Sequence, residues 1–156
     1  MHPPIRLHCP ITYDLALIRD LIRVYARHAE LSDARTDHLV LAVNEAVTNV
    51  LEHGAGGGTI TAYISPAGVI VDICDNAGRL RPDHLTAAAR LPSPPADTQH
   101  LGLWLIHRLC DEVTLDHPHD QDQAHGHSRL RLRMNLPLTT YLRPWQKGGD
   151  PSSAAS

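Results

Sequence analysis

Phenylalanine is absent from this chain and aromatic residues make up only 4% of it, so ring packing cannot dominate the interior, and Leu, Val, Ile and Ala must fill it. Cysteine is nearly as scarce. Cys9, Cys74 and Cys110 are odd in number and show no C-x-x-C spacing, which argues against a disulfide framework and leaves three reduced thiols acting as small hydrophobes. No apolar run approaches a membrane span, and the opening M-H-P-P-I-R-L-H lacks both the charged start and the apolar centre of a signal peptide, so a cytoplasmic protein is expected. Blocks of Lys or Arg are also missing. With a net charge of −3, direct nucleic-acid binding through phosphate neutralisation is not expected, and a protein or small ligand is the better partner. What remains is 156 residues at 42% hydrophobic, which suits one domain with its own core.

The chain is organised around residues 39–58, L-V-L-A-V-N-E-A-V-T-N-V-L-E-H-G-A-G-G-G. Leu39, Val43, Ala46, Val47 and Val50 recur at helical spacing and form one apolar stripe. Glu45 and Asn49 are four apart on the flank of that stripe, which holds a carboxylate and a carboxamide one turn from each other at the rim of a core. Glu52 and His53 continue the polar edge, Gly54 is placed to end the helix in the left-handed conformation, and Gly56, Gly57 and Gly58 allow a sharp exit. On its own, E-x-x-x-N also describes many solvated helix faces, so the rest of the chain decides its meaning.

Residues 5–8 alternate apolar and basic side chains and read as a short edge strand closed by Cys9-Pro10. Leu15, Ile18, Leu21, Ile22 and Tyr25 predict a helix from a Thr12 cap to about Glu30, and Ser32 and Asp33 offer the cap of the next helix, over 34–53. Two β-rich runs, 59–64 and 69–75, joined by Ser65-Pro66-Ala67-Gly68, predict an antiparallel hairpin with Asp75 at a strand end, where it can reach a ligand or bond its own turn. The segment 76–99 holds four of the twelve prolines and a short helical piece near 83–90. Its length suggests a mobile lid or a plain crossover with few apolar groups to bury. Helical spacing resumes over 100–110, a short strand follows at 112–116, and residues 128–136 alternate strictly, with Leu130, Leu132, Met134 and Leu136 inward and Arg129, Arg131 and Arg133 outward.

This order predicts an α+β fold, a two-layer sandwich whose mixed, mainly antiparallel sheet is covered on one face by helices. A single domain over 1–138 is expected, with the Pro/Gly/Ser/Ala-rich stretch 139–156 as a disordered tail. Two H-x-H pairs, His117 with His119 and His125 with His127, raise a metal site, but their spacing matches no standard zinc pattern and a polar loop explains them as well.

Four pieces in order, N-E-A-V-T-N on a helix, D-N-A-G after a strand, a long connection, and H-L-G-L-W-L-I-H-R-L-C-D-E-V opening a helix, resemble the GHKL (Bergerat-fold) ATP-binding superfamily, most closely the bacterial anti-sigma-factor serine/threonine kinases. The resemblance implies ATP and Mg²⁺ as cofactors. By it, Glu45 is the general base, Asn49 the Mg²⁺ ligand, and Asp75 the acceptor of the adenine amino group. It also draws His53, Ala77, Gly78, Gly102 and Leu103 into the nucleotide site, with Gly102 offering a bare N–H to phosphate at a helix start, and Ser128 near the adenine. Two departures stand out. The family's D-x-G-x-G is here Asp75-Asn76-Ala77-Gly78-Arg79, with Gly78 in place to substitute by a one-residue shift, and His100 occupies the first position of the later G-x-G. The implied activity is Mg-dependent phosphorylation of Ser or Thr on an antagonist protein together with sequestration of a sigma factor, and homodimers are common in such proteins. A noncatalytic interaction module on the same fold is the alternative.

Overall fold

The computed structural model describes residues 5–53, 57–78, 80–117 and 127–137. Gly54, Gly56, Arg79, His119, His125 and the stretch 139–156 lie outside the described residues. The elements run β1 (Leu7–Pro10), α1 (Leu15–His28), α2 (Asp33–His53), β2 (Gly58–Ser65), β3 (Gly68–Asp75), α3 (Pro82–Arg90), α4 (Thr98–Leu109), β4 (Glu112–Asp116) and β5 (Ser128–Met134). Among the described residues five strands form one sheet in the order β1-β2-β3-β5-β4, and every pairing among them is antiparallel.

Local chemistry sets the helix ends. The cap of α1 is Asp14, whose Oδ1 accepts the Leu17 N–H at 3.1 Å, while Thr12, the cap expected from the sequence, accepts the N–H of Asp14 at 3.3 Å. Both are capping residue types, and only Asp14 stands three residues before an unpaired helix donor. At the other end Glu30 adopts φ 65°, and the N–H groups of Glu30 and Leu31 return to the carbonyls of Arg27 and Ala26 at 3.0 and 3.1 Å. That is a Schellman closure with a glutamate in the left-handed position, at a cost of about 1 kcal/mol. Ser32 caps α2 by accepting the Arg35 N–H at 3.2 Å.

The first strand lies two residues later than expected and includes Pro10, which an edge strand tolerates because one of its sides has no ladder to break. Ile60, Ala62, Val69, Val71, Ile73, Leu130, Leu132 and Met134 meet the apolar stripe of α2 in a single core, each at most 4% exposed. Buried side chains of this kind contribute about 1.5–3 kcal/mol each, so the sheet and α2 specify one another. On the opposite face the alternation of β5 yields an ion-pair ladder: Arg129 with Asp116 (2.5 Å), Arg131 with Asp72 (2.7 Å) and Arg133 with Glu112 (2.6 Å). Burial pushes the thiols of Cys9 and Cys74 upward and that of Cys110 up to about 12, which favours the protonated thiol in all three.

The 76–99 segment buries more than its composition suggested. Leu85 and Ala88 of α3 are buried, and α3 packs on α4. Trp104 Nε1 donates to the Leu91 carbonyl at 3.1 Å, and His117 Nε2 to that of Leu80 at 3.0 Å. Two apolar side chains spaced one turn apart suffice to seat a nine-residue helix.

Candidate nucleotide-type site

A cavity of about 350 Å³ opens between the C-terminal half of α2, the ends of β3 and β5, and the helices α3 and α4. Ala46, Val50, Ile73, Leu80, Leu103 and Leu130 supply apolar walls, and Asn49, His53, Asp75, His84, His100 and Ser128 supply polar groups. The volume falls within the range of small-molecule sites, and a few placed polar groups in an apolar cleft are how such sites orient a ligand.

Each polar group is fixed by the secondary structure beneath it. The 3.6-residue repeat that buries Ala46 and Val50 sets Asn49 at the edge of the same stripe and His53 one turn further. Asp75 and Ser128 are direct partners across β3 and β5, only 7% and 2% exposed. A carboxylate and a hydroxyl at the end of an apolar cleft suit a flat heterocycle with a polar edge. The Oδ1 of Asp75 also accepts the Ala77 N–H at 2.8 Å, and Gly78 follows with φ 61°, a conformation that favours glycine. Gly78 thus takes the left-handed position one residue later than a D-x-G spacing would put it.

Of the residues singled out in the sequence, Asn49, His53, Asp75, Leu103 and Ser128 line the cavity, while Glu45, Ala77, Gly78 and Gly102 are not on its wall. Gly102 requires a correction. It is the fifth residue of α4, and Leu101 already bonds back to Asp97 at 3.0 Å, so Gly102 lies beyond the unpaired N–H groups of the helix start. What its missing side chain provides is room: a Cβ there would stand 3.2 Å from Glu45 Oε2 and 3.7 Å from both amide atoms of Asn49. Burial, and then the charge of Glu52, push the Glu45 carboxyl upward from its ordinary value.

His84 is the lining residue that sequence reasoning missed, because its place depends on α3 docking against α4 and no spacing in the chain encodes it. His100 was visible only as a replaced glycine. Each H-x-H pair has one member, His119 or His125, outside the described residues; among the described residues no group of three His, Cys, Asp or Glu could hold a metal ion, and His117 Nε2 donates to the Leu80 carbonyl.

An antiparallel sheet backed on one face by helices, with a half-apolar cavity between α2, α4 and two strand ends, defines a two-layer sandwich of the GHKL type. Residues 12–133 match the histidine kinase-like ATPase domain, and the chain belongs to that family. A comparison with curated proteins finds no match. Among solved structures, a chain in the crystal structure of the SiaB–SiaC complex from Pseudomonas aeruginosa is similar, with a TM-score of 0.63 at 16% identity over 82% of this chain and 88% of that one, a likeness of fold. Among the described residues no helix is long and apolar enough to cross a membrane.

Proposed function

We propose that this protein is an ATP-binding regulator of the anti-sigma-factor type, which phosphorylates Ser or Thr on a small antagonist protein in an Mg²⁺-dependent reaction and sequesters a sigma factor or comparable partner. The observation that carries the proposal is the gathering in one cavity of Asn49, Asp75 and Ser128, with Glu45 one turn from Asn49 and Gly102 leaving space beside both. Asp75 and Ser128 receive the adenine edge, and Leu103 with the apolar wall covers its faces. Asn49, through its amide oxygen, is a suitable hard ligand for Mg²⁺, with His53 one turn on. Bound Mg²⁺ would neutralise phosphate charge, and the protein's own share is positioning: Glu45 accepts the proton of the attacking hydroxyl. The turn of Ala77 and Gly78 holds the Asp75 carboxylate in place. The similar solved structure is a complex of two proteins, in keeping with a protein partner for this chain.

A second reading, a noncatalytic interaction module on the same fold, draws support from one observation: the Asp75 carboxylate already bonds its own turn at Ala77, as a structural Asp does. Calorimetric titration with Mg-ATP separates the two. The kinase reading expects Mg²⁺-dependent binding that is lost in Asp75→Ala. Absence of binding at millimolar ATP would remove it and leave the sequestering module.

A further inference from the structure

The cavity is poor in cations. Among the described residues that line it there is no Lys or Arg, and the one carboxylate is Asp75, while imidazoles reach it from three helices, with His53 on α2, His84 on α3 and His100 on α4. A polyphosphate that is even partly desolvated requires donors or positive charge in return. Converging imidazoles could instead hold a metal, yet no three metal-ligating side chains among the described residues are close enough to do so. Among the described residues the three imidazoles therefore form no metal cluster.

Two of them are prepared in different ways. The Nδ1 of His84 accepts the Arg81 N–H at 3.3 Å, so the proton of the neutral ring sits on Nε2, a donor without net charge. The Nδ1 of His100 is 2.6 Å from Oδ2 of Asp97, so Nδ1 is the donor there, and Nε2 donates only when the ring is an imidazolium. Building on the reading of this cavity as a nucleotide site, we propose that His84 and His100 hold the polyphosphate end through their Nε2 atoms, His84 as a neutral donor and His100 as an imidazolium whose Nδ1 is held by Asp97. Affinity then falls as pH rises, because only the charged ring offers Nε2 as a donor.

The other titratable or charged groups around the cavity are Glu45, Glu52 and His53 from α2, Arg81 and Asp83 at the start of α3, Asp97 at the start of α4, Asp75 from β3, and His117 beside Leu80. Glu45 is the rival source of a pH slope, because burial and Glu52 push its carboxyl upward.

Titrating the full chain with Mg-ATP at pH 6.5 and 8.5, in buffers of different ionisation enthalpy, tests the proposal. Wild type should bind about three- to tenfold more weakly at pH 8.5, since one linked proton changes affinity by at most about tenfold for each pH unit. His100→Gln should weaken binding at pH 6.5 and remove most of that slope. His84→Gln should weaken binding by a similar factor at both pH values, and Glu45→Gln should keep the slope. Equal wild-type affinity at both pH values, with His84→Gln and His100→Gln indistinguishable from it, would overturn the imidazole assignment while the nucleotide reading stands. A slope that vanishes in Glu45→Gln and survives in His100→Gln would overturn it too. No Mg-ATP binding at either pH removes the nucleotide reading and this inference together.

Discussion

Gly102 stands against Glu45 so closely that a Cβ at position 102 would lie 3.2 Å from Glu45 Oε2. The contact joins α4 to α2, the helix that carries Asn49, and it makes an absent side chain part of the site. Because the opposing atom is the tip of a flexible glutamate, the fold can absorb an added methyl while the carboxylate has to move.

Gly102→Ala should therefore separate stability from activity. Alanine in a helix interior is favoured over glycine by about 1 kcal/mol, which offsets the local crowding, so the melting temperature should hold or rise slightly. If Glu45 is the base of the proposed reaction, phosphoryl transfer should fall by about tenfold or more, because its carboxylate is displaced by a few tenths of an ångström and its neighbour Asn49 is crowded. Unchanged transfer by a folded Gly102→Ala protein would disconnect Glu45 from the chemistry.

Glu45 and Asn49 should divide binding from catalysis. Glu45→Ala should leave Mg-ATP affinity nearly unchanged while transfer drops sharply, and Asn49→Ala should lose both. The pH profile adds a sign. A general base works only when ionised, so transfer should rise with pH through the raised Glu45 value and then level off. Burial is the larger cause of that raised value and Glu52 the smaller, so Glu52→Gln should move the rising limb toward lower pH by a modest amount. A limb that stays put in Glu52→Gln and persists in the residual activity of Glu45→Ala would assign it to another group.

These residues were legible in the sequence because a helix repeats every 3.6 residues: the spacing that buries Ala46 and Val50 fixes where Glu45 and Asn49 point. The hairpin and β5 were legible for the same kind of reason, with β2 and β3 falling within a residue of their expected ends and the outward arginines where alternation put them. What could not be read depends on partners distant in the chain. The insertion of β5 between β3 and β4, the direct pairing of Asp75 with Ser128, and the arrival of His84 at the cavity are all set by packing between elements. The choice of Asp14 over Thr12 as a cap rests on a single backbone donor, a distinction finer than residue type.

Asp75 has two jobs that substitution can separate. It accepts the Ala77 N–H and faces the cavity beside Ser128. Asp75→Asn retains an oxygen for Ala77 and should cost little stability, while Asp75→Ala loses that hydrogen bond, at about 1 kcal/mol. Both should lose Mg-ATP binding, since an amide cannot reproduce a carboxylate acceptor at both oxygens. Chemical denaturation with parallel calorimetry reads the two effects, and retention of wild-type affinity in Asp75→Asn would show that the carboxylate serves the turn alone.

The connection between β3 and α4 carries the last prediction. Leu85 and Ala88 are buried and Trp104 Nε1 holds the Leu91 carbonyl, yet residues 92–94, 96 and 97 are exposed, so the segment combines a seated helix with a loose strap. In hydrogen exchange without nucleotide, the amides of α3 should be slower than those of Ser93, Ala96 and Asp97, and β5 slower than either. Trp104→Phe removes one donor while keeping an aromatic ring, so α3 should exchange about fivefold faster, the factor equivalent to one net hydrogen bond near 1 kcal/mol. If the strap closes over bound phosphates, Mg-ATP should slow exchange across 92–97 and around Gly102, because ordering that strap draws on binding energy, while β5 stays protected throughout. A profile over 80–97 that is indifferent to Mg-ATP under saturating conditions would mean that α3 and its strap are a fixed crossover, with the cavity open to ligand from a side they do not cover.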